Sequence, residues 1–74
     1  MSELPRLTAD QFDALAELLR LRESSSREAA RLVLVEGMSR ADAQRATGMT
    51  GLQGVSNVLT RCRRGIELAR RVVA

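Results

Sequence analysis

Residues 39–61 constrain the fold more strongly than any other part of the chain. In this stretch, SRADAQRATGMTGLQGVSNVLTR, two segments of helical character are separated by Gly48. Because glycine adopts the left-handed conformation without steric cost, it can end one helix and let the chain turn into the next. We therefore predict a short helix over 40–47 and a longer helix over 51–64. A helix-turn-helix of this kind, here about residues 40–64, presents its second helix to the major groove of DNA.

Two more helices are expected before this pair. Thr8 followed by Gln11 has the spacing of a capping box, in which each side chain bonds the backbone amide of the other residue. This signal predicts a helix over 9–22. Ser25 stands three residues before a glutamate and predicts a second helix over 26–36 in the same way.

The third and fourth helices begin at caps of the same type. Ser39 stands three residues before an aspartate and Thr50 three residues before Gln53, so the two hydroxyls are expected to cap these helices. Gly65 is expected to end or kink the fourth helix, after which 65–74 forms a C-terminal helical extension. The whole chain of 74 residues is thus predicted to be one all-α domain of four to five helices.

The core must be built almost entirely from aliphatic side chains, because Phe12 is the only aromatic residue. In the fourth helix an apolar stripe recurs at helical spacing and is predicted to face inward. Its members are Leu52, Val55, Leu59 and Cys62. The apolar run 32–35 fits a buried strand as well as a helix, but its helix-forming neighbours favour the helix.

The residues that perform catalysis or bind metals are scarce. The sequence has no histidine, and its single cysteine, Cys62, falls in the apolar stripe with no base suggested for it. Arg61 and Arg63 beside it could activate the thiol, but the spacing favours a small core side chain. We therefore predict no catalytic site, no metal site, no cofactor and no small-molecule substrate. Neither a membrane-spanning run nor the pattern of a secretory signal occurs, so we expect a cytoplasmic protein without membrane contact.

Charge divides the chain into two unequal halves. Residues 1–42 carry a net charge of −2, residues 43–74 carry +5, and every basic residue is arginine. A basic second half suggests a surface for a polyanion, and the arginine fork suits phosphates and guanine edges. A solvated basic tail is the alternative explanation of the charge, and high-GC coding is the alternative explanation of the arginine bias.

Polar residues without any carboxylate share the outward side of the fourth helix. We call this side the polar face: Gln53, Ser56, Asn57, Thr60, Arg61 and Arg64. Asparagine and glutamine can pair with adenine, and arginine with guanine. The predicted base-reading residues are Gln53, Ser56, Asn57 and Arg61. The predicted phosphate contacts are Arg40, Arg45, Thr50, Thr60, Arg63 and Arg64. An ordinary solvated helix face is the alternative, although such a face usually mixes glutamate with arginine.

The chain resembles the TrfB/KorA family of plasmid transcriptional repressors in three segments. These are Leu7-Thr8 with Gln11-Phe12, the run ARLVLVEG at 30–37, and Gly48-Met49-Thr50 with Val55-Ser56 and Arg61. The resemblance implies an all-helical repressor of a plasmid, phage or other mobile element that binds palindromic operators as a dimer. It also implies that Ser56, Asn57 and Arg61 meet bases. Residues 51–54 depart from the family's usual spacing by one residue, so Gln53 rests on helix geometry alone.

Two interpretations remain open for the apolar residues near the C-terminus. The side chains concerned are Ile66, Ala69, Val72 and Val73. They form either the contact of a homodimer or a surface that folds back onto the first helix. A second function class also remains open. It is a non-catalytic protein-binding module, such as a phage-type inhibitor or partner subunit, that docks on a second regulatory protein instead of double-stranded DNA.

Overall fold

The computed structural model describes residues 6–73, which form four helices and contain no strand. The helices are α1, Ala9–Leu18; α2, Ser25–Leu34; α3, Arg40–Thr47; and α4, Leu52–Val73. The predicted all-α class is confirmed. The prediction about a secretory signal and the two ends of the predicted domain concern residues 1–5 and 74, which lie outside the described residues.

α2 and α4 form the centre of the fold. Each of them contacts all three other helices, whereas α1 and α3 do not contact each other within residues 6–73. Burying a large apolar side chain contributes roughly 1.5–3 kcal/mol, so the core depends on a few such residues. The largest fully buried side chains are Phe12, Leu34, Val55, Leu59 and Cys62.

The buried side of α4 differs from the predicted stripe at one position. Val55, Leu59 and Cys62 are buried as predicted, but Leu52 is 49 % exposed and Val58 is buried instead. Successive residues of a helix are rotated by about 100°, which places Val58 nearer than Leu52 to the middle of the buried side. The prediction for Leu52 is therefore wrong.

α1 ends four residues before its predicted end. The amide of Arg20 donates to the carbonyl of Glu17 (3.1 Å), and the amide of Leu21 donates to the carbonyl of Ala16 (2.8 Å). These two bonds form a Schellman motif, whose left-handed residue is usually glycine. Here that residue is Arg20, with φ of 55°. The sequence therefore carried no glycine to mark this helix end.

α2 begins one residue earlier than predicted and is capped by Ser24, not by Ser25. The Ser24 hydroxyl oxygen accepts from the amide of Arg27 at 3.3 Å. Glu28, assigned to a capping box with Ser25, binds the Nε of Arg31 at 3.0 Å instead. Three consecutive serines offer the same capping chemistry, so their order alone could not identify the cap.

α2 also ends two residues before its predicted end, where residues that precede α1 bind its last carbonyls. The amide of Leu7 donates to the carbonyl of Leu34 at 2.8 Å, and Arg6 Nη2 donates to the carbonyl of Val35 at 2.9 Å. Carbonyls at a helix C-terminus lack partners within the helix, so these bonds satisfy them and join the start of α1 to the end of α2. Because α2 includes residues 32–34, the strand alternative is wrong.

The start of α1 and both ends of α3 follow the sequence closely. Thr8 and Gln11 form the predicted capping box at 2.9 and 3.1 Å. Ser39 caps α3 by accepting from the amide of Asp42 at 3.1 Å. Gly48 ends α3 in the left-handed conformation, with φ of 71°. These boundaries were predictable because each has a single residue of the required type in the required place.

α4 starts at Leu52 and continues through Gly65 to Val73. The start is one residue later than a cap at Thr50 implied, and the predicted end or kink at Gly65 does not occur. A Cβ at Gly65 would lie 3.0 Å from Leu19 Cδ2 and 3.1 Å from Leu15 Cδ1. This glycine therefore lets the end of α1 pack closely against an unbroken α4.

The left-handed turn at Gly48 gives a direct test. Gly48→Ala should lower the free energy of unfolding by about 1–2 kcal/mol, because a side chain disfavours its φ. Gly51, in the same turn, has no positive φ and has open space for a Cβ. Gly51→Ser should leave stability unchanged or raise it by up to about 1 kcal/mol, because serine is favoured at the position before a helix. Urea denaturation followed by circular dichroism measures both, and equal losses would contradict the role of Gly48.

Candidate nucleic-acid interface

The polar face of α4 lies at the surface. All of its residues are exposed except Ser56, which is half-buried. This orientation follows from the burial of Val55, Val58 and Leu59 on the opposite side of the helix. The first turn of α4 contains no acidic residue, so no carboxylate there offsets the positive end of the helix dipole.

Gln53 and Asn57 form a hydrogen-bonded pair on this face. Gln53 Nε2 donates to Asn57 Oδ1 at 3.0 Å, across one turn of the helix. The bond leaves the amide oxygen of Gln53 and the amide nitrogen of Asn57 available to a ligand. Two amides held side by side lose less conformational freedom when they bind, because their orientation is already restricted.

Arg61 lies at the edge of the polar face and reaches α1. Its Nη2 donates to the carbonyl of Leu19 at 3.2 Å, across 42 positions of sequence. Leu19 is the C-terminal cap of α1, where carbonyls lack helical partners. A guanidinium has five N–H donors, so this bond leaves others for a further contact. The sequence indicated Arg61 as a base-reading residue but gave no sign of this tertiary contact.

The residues predicted to contact phosphates are all exposed, and some of them also bond to nearby residues. Thr60 Oγ1 donates to the carbonyl of Ser56 at 2.9 Å, which uses its proton and leaves its oxygen as an acceptor. Arg64 has no hydrogen-bond or ion-pair partner within residues 6–73. Arg45 pairs with Asp42 on α3, so part of its charge is balanced. The other three predicted phosphate contacts, Arg40, Thr50 and Arg63, are exposed.

Gln44, which was not singled out from the sequence, and Met49 hold the turn that precedes α4. Gln44 on α3 is half-buried, and its Nε2 donates to the carbonyl of Met49 in the turn at 2.6 Å. The Met49 side chain packs against the core, with its Cε 2.7 Å from the place a Cβ of Gly54 would take. The absence of a side chain at Gly54 therefore leaves room for Met49.

The chain matches a known protein family over most of its length. A model of the TrfB plasmid transcriptional repressor family matches residues 7–72, which include all four helices except the last residue of α4. The chain belongs to this family. The match confirms the resemblance and shows a role in transcriptional regulation. Comparison with curated proteins and with solved structures returned no match.

Within residues 6–73 no group of three or more histidine, cysteine, aspartate or glutamate side chains is placed to hold a metal ion. Over the same part of the chain, no helix is long and apolar enough to cross a membrane.

Cys62 is a core residue of this TrfB-family chain. It has no exposed surface, and it packs with Leu59 and Val58 in the central cluster. Burial raises the pKa of the thiol, and the charge of Arg61 only partly opposes this shift. The thiol therefore stays protonated at neutral pH, which agrees with the predicted core role and not with that of a nucleophile.

The apolar C-terminal residues of α4 are divided between the core and the surface. Ile66 packs partly against the core, and Ala69 is half-buried. Val72 is 88 % exposed, and the side chain of Val73 lies outside the described residues. Two exposed leucines lie near Val72, and neither was among the residues predicted to form this surface. We call the three the apolar patch: Leu18, Leu68 and Val72.

The pKa of Cys62 predicts the pH dependence of stability. With no lysine, tyrosine or histidine, Cys62 and the N-terminal amine are the only groups whose ordinary pKa lies between about 5 and 12. Above the ordinary thiol value of 9.0 the unfolded chain loses its proton first, because the folded pKa is higher. The free energy of unfolding should therefore fall as pH rises above about 9 and should show no thiol contribution near neutrality. Urea denaturation across this range should show the fall in the free energy of unfolding, and the fall should be absent in Cys62→Ala. A fall of the same size in the variant would show that another group causes it.

Proposed function

We propose that this chain is a sequence-specific DNA-binding repressor of a mobile element that binds a palindromic operator as a two-fold dimer. The family supports repression, and the polar face of α4 supports direct reading of bases. The observation that carries the proposal is the Gln53–Asn57 amide pair, exposed on a helix face that has no carboxylate. Paired amides of this kind suit the N6 and N7 edge of adenine in the major groove.

The dimensions of α4 fit this proposal. From Gln53 to Arg64 the helix advances about 16 Å, and the major groove is about 12 Å wide. The N-terminal half of α4 therefore enters the groove at an angle, while α3 crosses the backbone above it. Arg40 and Arg45 on α3 and Arg64 on α4 contact phosphates on the two sides of the groove.

The apolar patch supports the two-fold dimer. Leu18, Leu68 and Val72 are 63 %, 45 % and 88 % exposed in the single chain. A two-fold axis through this patch buries each of these side chains against its counterparts in a second copy, because a two-fold interface is self-complementary. The two α4 helices then read half-sites about one helical turn of DNA apart.

The base-reading role is tested by Asn57→Ala. The variant should lose about 1–3 kcal/mol at one base pair of the operator, and so relax the preference there, because a bidentate contact is removed. Arg64→Ala is the matched control and should weaken binding to all sequences alike. The operator is first selected from a random pool of duplexes, and single-base variants of it are then titrated. Unchanged discrimination by Asn57→Ala would show that the polar face is misassigned.

The dimer contact is tested by Val72→Glu. The side chain is 88 % exposed, so the variant should fold normally but dissociate at concentrations where the parent chain is a dimer, because a charge would be buried. Val72→Ile is the control and should retain the dimer. Sedimentation velocity measures both. A parent chain that is monomeric even on operator DNA, or a dimer that tolerates glutamate, would refute this interface.

The alternative function is a protein-binding module that uses the same apolar patch for a different partner. The exposure of Leu18 and Val72 favours it, because surface leucine and valine side chains that cluster mark interaction surfaces. DNA affinity of the parent chain separates the two functions. A repressor loses affinity with salt, by about 0.9 in log K per log salt for each neutralised phosphate. Absence of this dependence, together with a salt-insensitive protein complex, would favour the module.

A further inference from the structure

A cleft of about 480 Å³ lies between α4 and the segment that connects α1 to α2. Four arginines line it, one from α4 and three from the connecting segment and the start of α2, and none of its lining residues is acidic. The arginines are Arg20, Arg22, Arg27 and Arg61, and the other polar lining residues are Ser24, Ser26 and Asn57. Apart from Asn57 and Arg61, none of these was among the residues predicted to contact DNA. We call this feature the arginine cleft.

Two of the four arginines are held in place by the fold. Arg27 Nη1 donates to the carbonyl of Leu21 at 3.3 Å, and Arg27 Nη2 lies 3.9 Å from Asp13 Oδ1. Arg61 donates to the carbonyl of Leu19. Both guanidinium groups are thus fixed to the end of α1 and its connection to α2.

The other two arginines are available to a ligand. Arg20 and Arg22 are exposed, and neither side chain has a hydrogen-bond or ion-pair partner within residues 6–73. The carboxylates of this region lie in a different groove, which is lined by Asp13, Glu23 and Glu28. The cleft therefore combines two fixed and two free guanidinium groups, the type of side chain that binds phosphate in a bidentate manner.

The backbone of Arg20 adds an independent observation. This residue has φ of 55° at the left-handed position of the Schellman motif, where glycine is favoured because a side chain is disfavoured there. Stability alone would select glycine at this position. Strained residues cluster at functional sites, and the side chain of Arg20 lines the cleft.

We propose that the arginine cleft binds the phosphate backbone of the operator beside the groove that α4 reads. The inference rests on the proposed function, because the cleft shares Asn57 and Arg61 with the polar face. A duplex docked on the polar face therefore has a sugar-phosphate strand next to the connection between α1 and α2. Arg20 and Arg22 contact its phosphates, and Arg27 and Arg61 add positive charge behind them.

The test uses Arg20→Gly and Arg22→Gln in the full chain, with Arg70→Gln as the matched control. Arg70 is exposed and lies 13 residues after Asn57, about 220° around the helix, on the side of α4 away from the arginine cleft. The duplex is the sequence selected from the random pool, and affinity is measured over a range of salt concentrations. Each cleft variant should bind all sequences several-fold more weakly, and its log–log salt slope should be smaller by about 0.9. Arg70→Gln should match the parent chain.

Arg20→Gly also separates a binding role from a structural one. Glycine suits the left-handed backbone, so the melting temperature of this variant should hold or rise while DNA affinity falls. A parent chain that selects no duplex refutes both the proposed function and this inference. A parent chain that binds its operator while both variants keep its affinity and salt slope refutes the inference alone.

A small phosphorylated molecule is the other source of phosphate for this cleft. Arginine side-chain resonances from NMR distinguish the two sources. Addition of the selected duplex should shift the Nε signals of Arg20 and Arg22, and sodium pyrophosphate should act only as a weak competitor at high concentration. Saturable shifts with pyrophosphate, and none with the duplex, would overturn the assignment to DNA.

Discussion

The buried side of α4 determines the rest of this structure. Val55, Val58, Leu59 and Cys62 each keep 4 % or less of their surface exposed and pack against side chains from the other helices. Because residues follow one another at about 100°, burial of this set fixes the rotation of α4 about its axis. The polar face is outward as a consequence. A rotation by one residue would expose the core and bury polar side chains without partners, and both changes are unfavourable.

The contact between α1 and α4 joins two surfaces, the polar face and the apolar patch, that would otherwise be independent. Leu19 lies beside Gly65, and its carbonyl binds Arg61, so the end of α1 packs along the middle of α4. The polar face lies on one side of this contact along α4, and the apolar patch lies on the other. One continuous helix carries the polar face and two of the three residues of the apolar patch, so a dimer formed through the patch would set the distance between the two polar faces rigidly. In such an arrangement the spacing of half-sites is a property of the helix, not of a flexible linker.

The sequence predicted those features that depend on one unambiguous signal. Thr8, Ser39 and Gly48 are single residues of the required type, and each marks a helix boundary as expected. The exposure of the polar face also followed from periodicity alone. The sequence failed where several residues offer the same chemistry, as at Ser24, or where a residue takes an unfavoured conformation, as at Arg20. Tertiary bonds such as that from Arg61 to Leu19 leave no local pattern, so no reading of neighbouring residues could find them.

The uneven distribution of charged residues over the surface links the stability of the domain to ligand binding. The ion pair of Arg31 with Glu28 is local and exposed, and pairs of this kind contribute little stability. The arginines at the polar face and the arginine cleft have few carboxylates near them, so in the free protein their mutual repulsion opposes the compact fold. The proposed binding of a polyanion to this surface would relieve that repulsion, and any ligand that binds only the folded state stabilises it. In the proposed complex, the arginines that repel one another in the free domain would therefore stabilise the bound one.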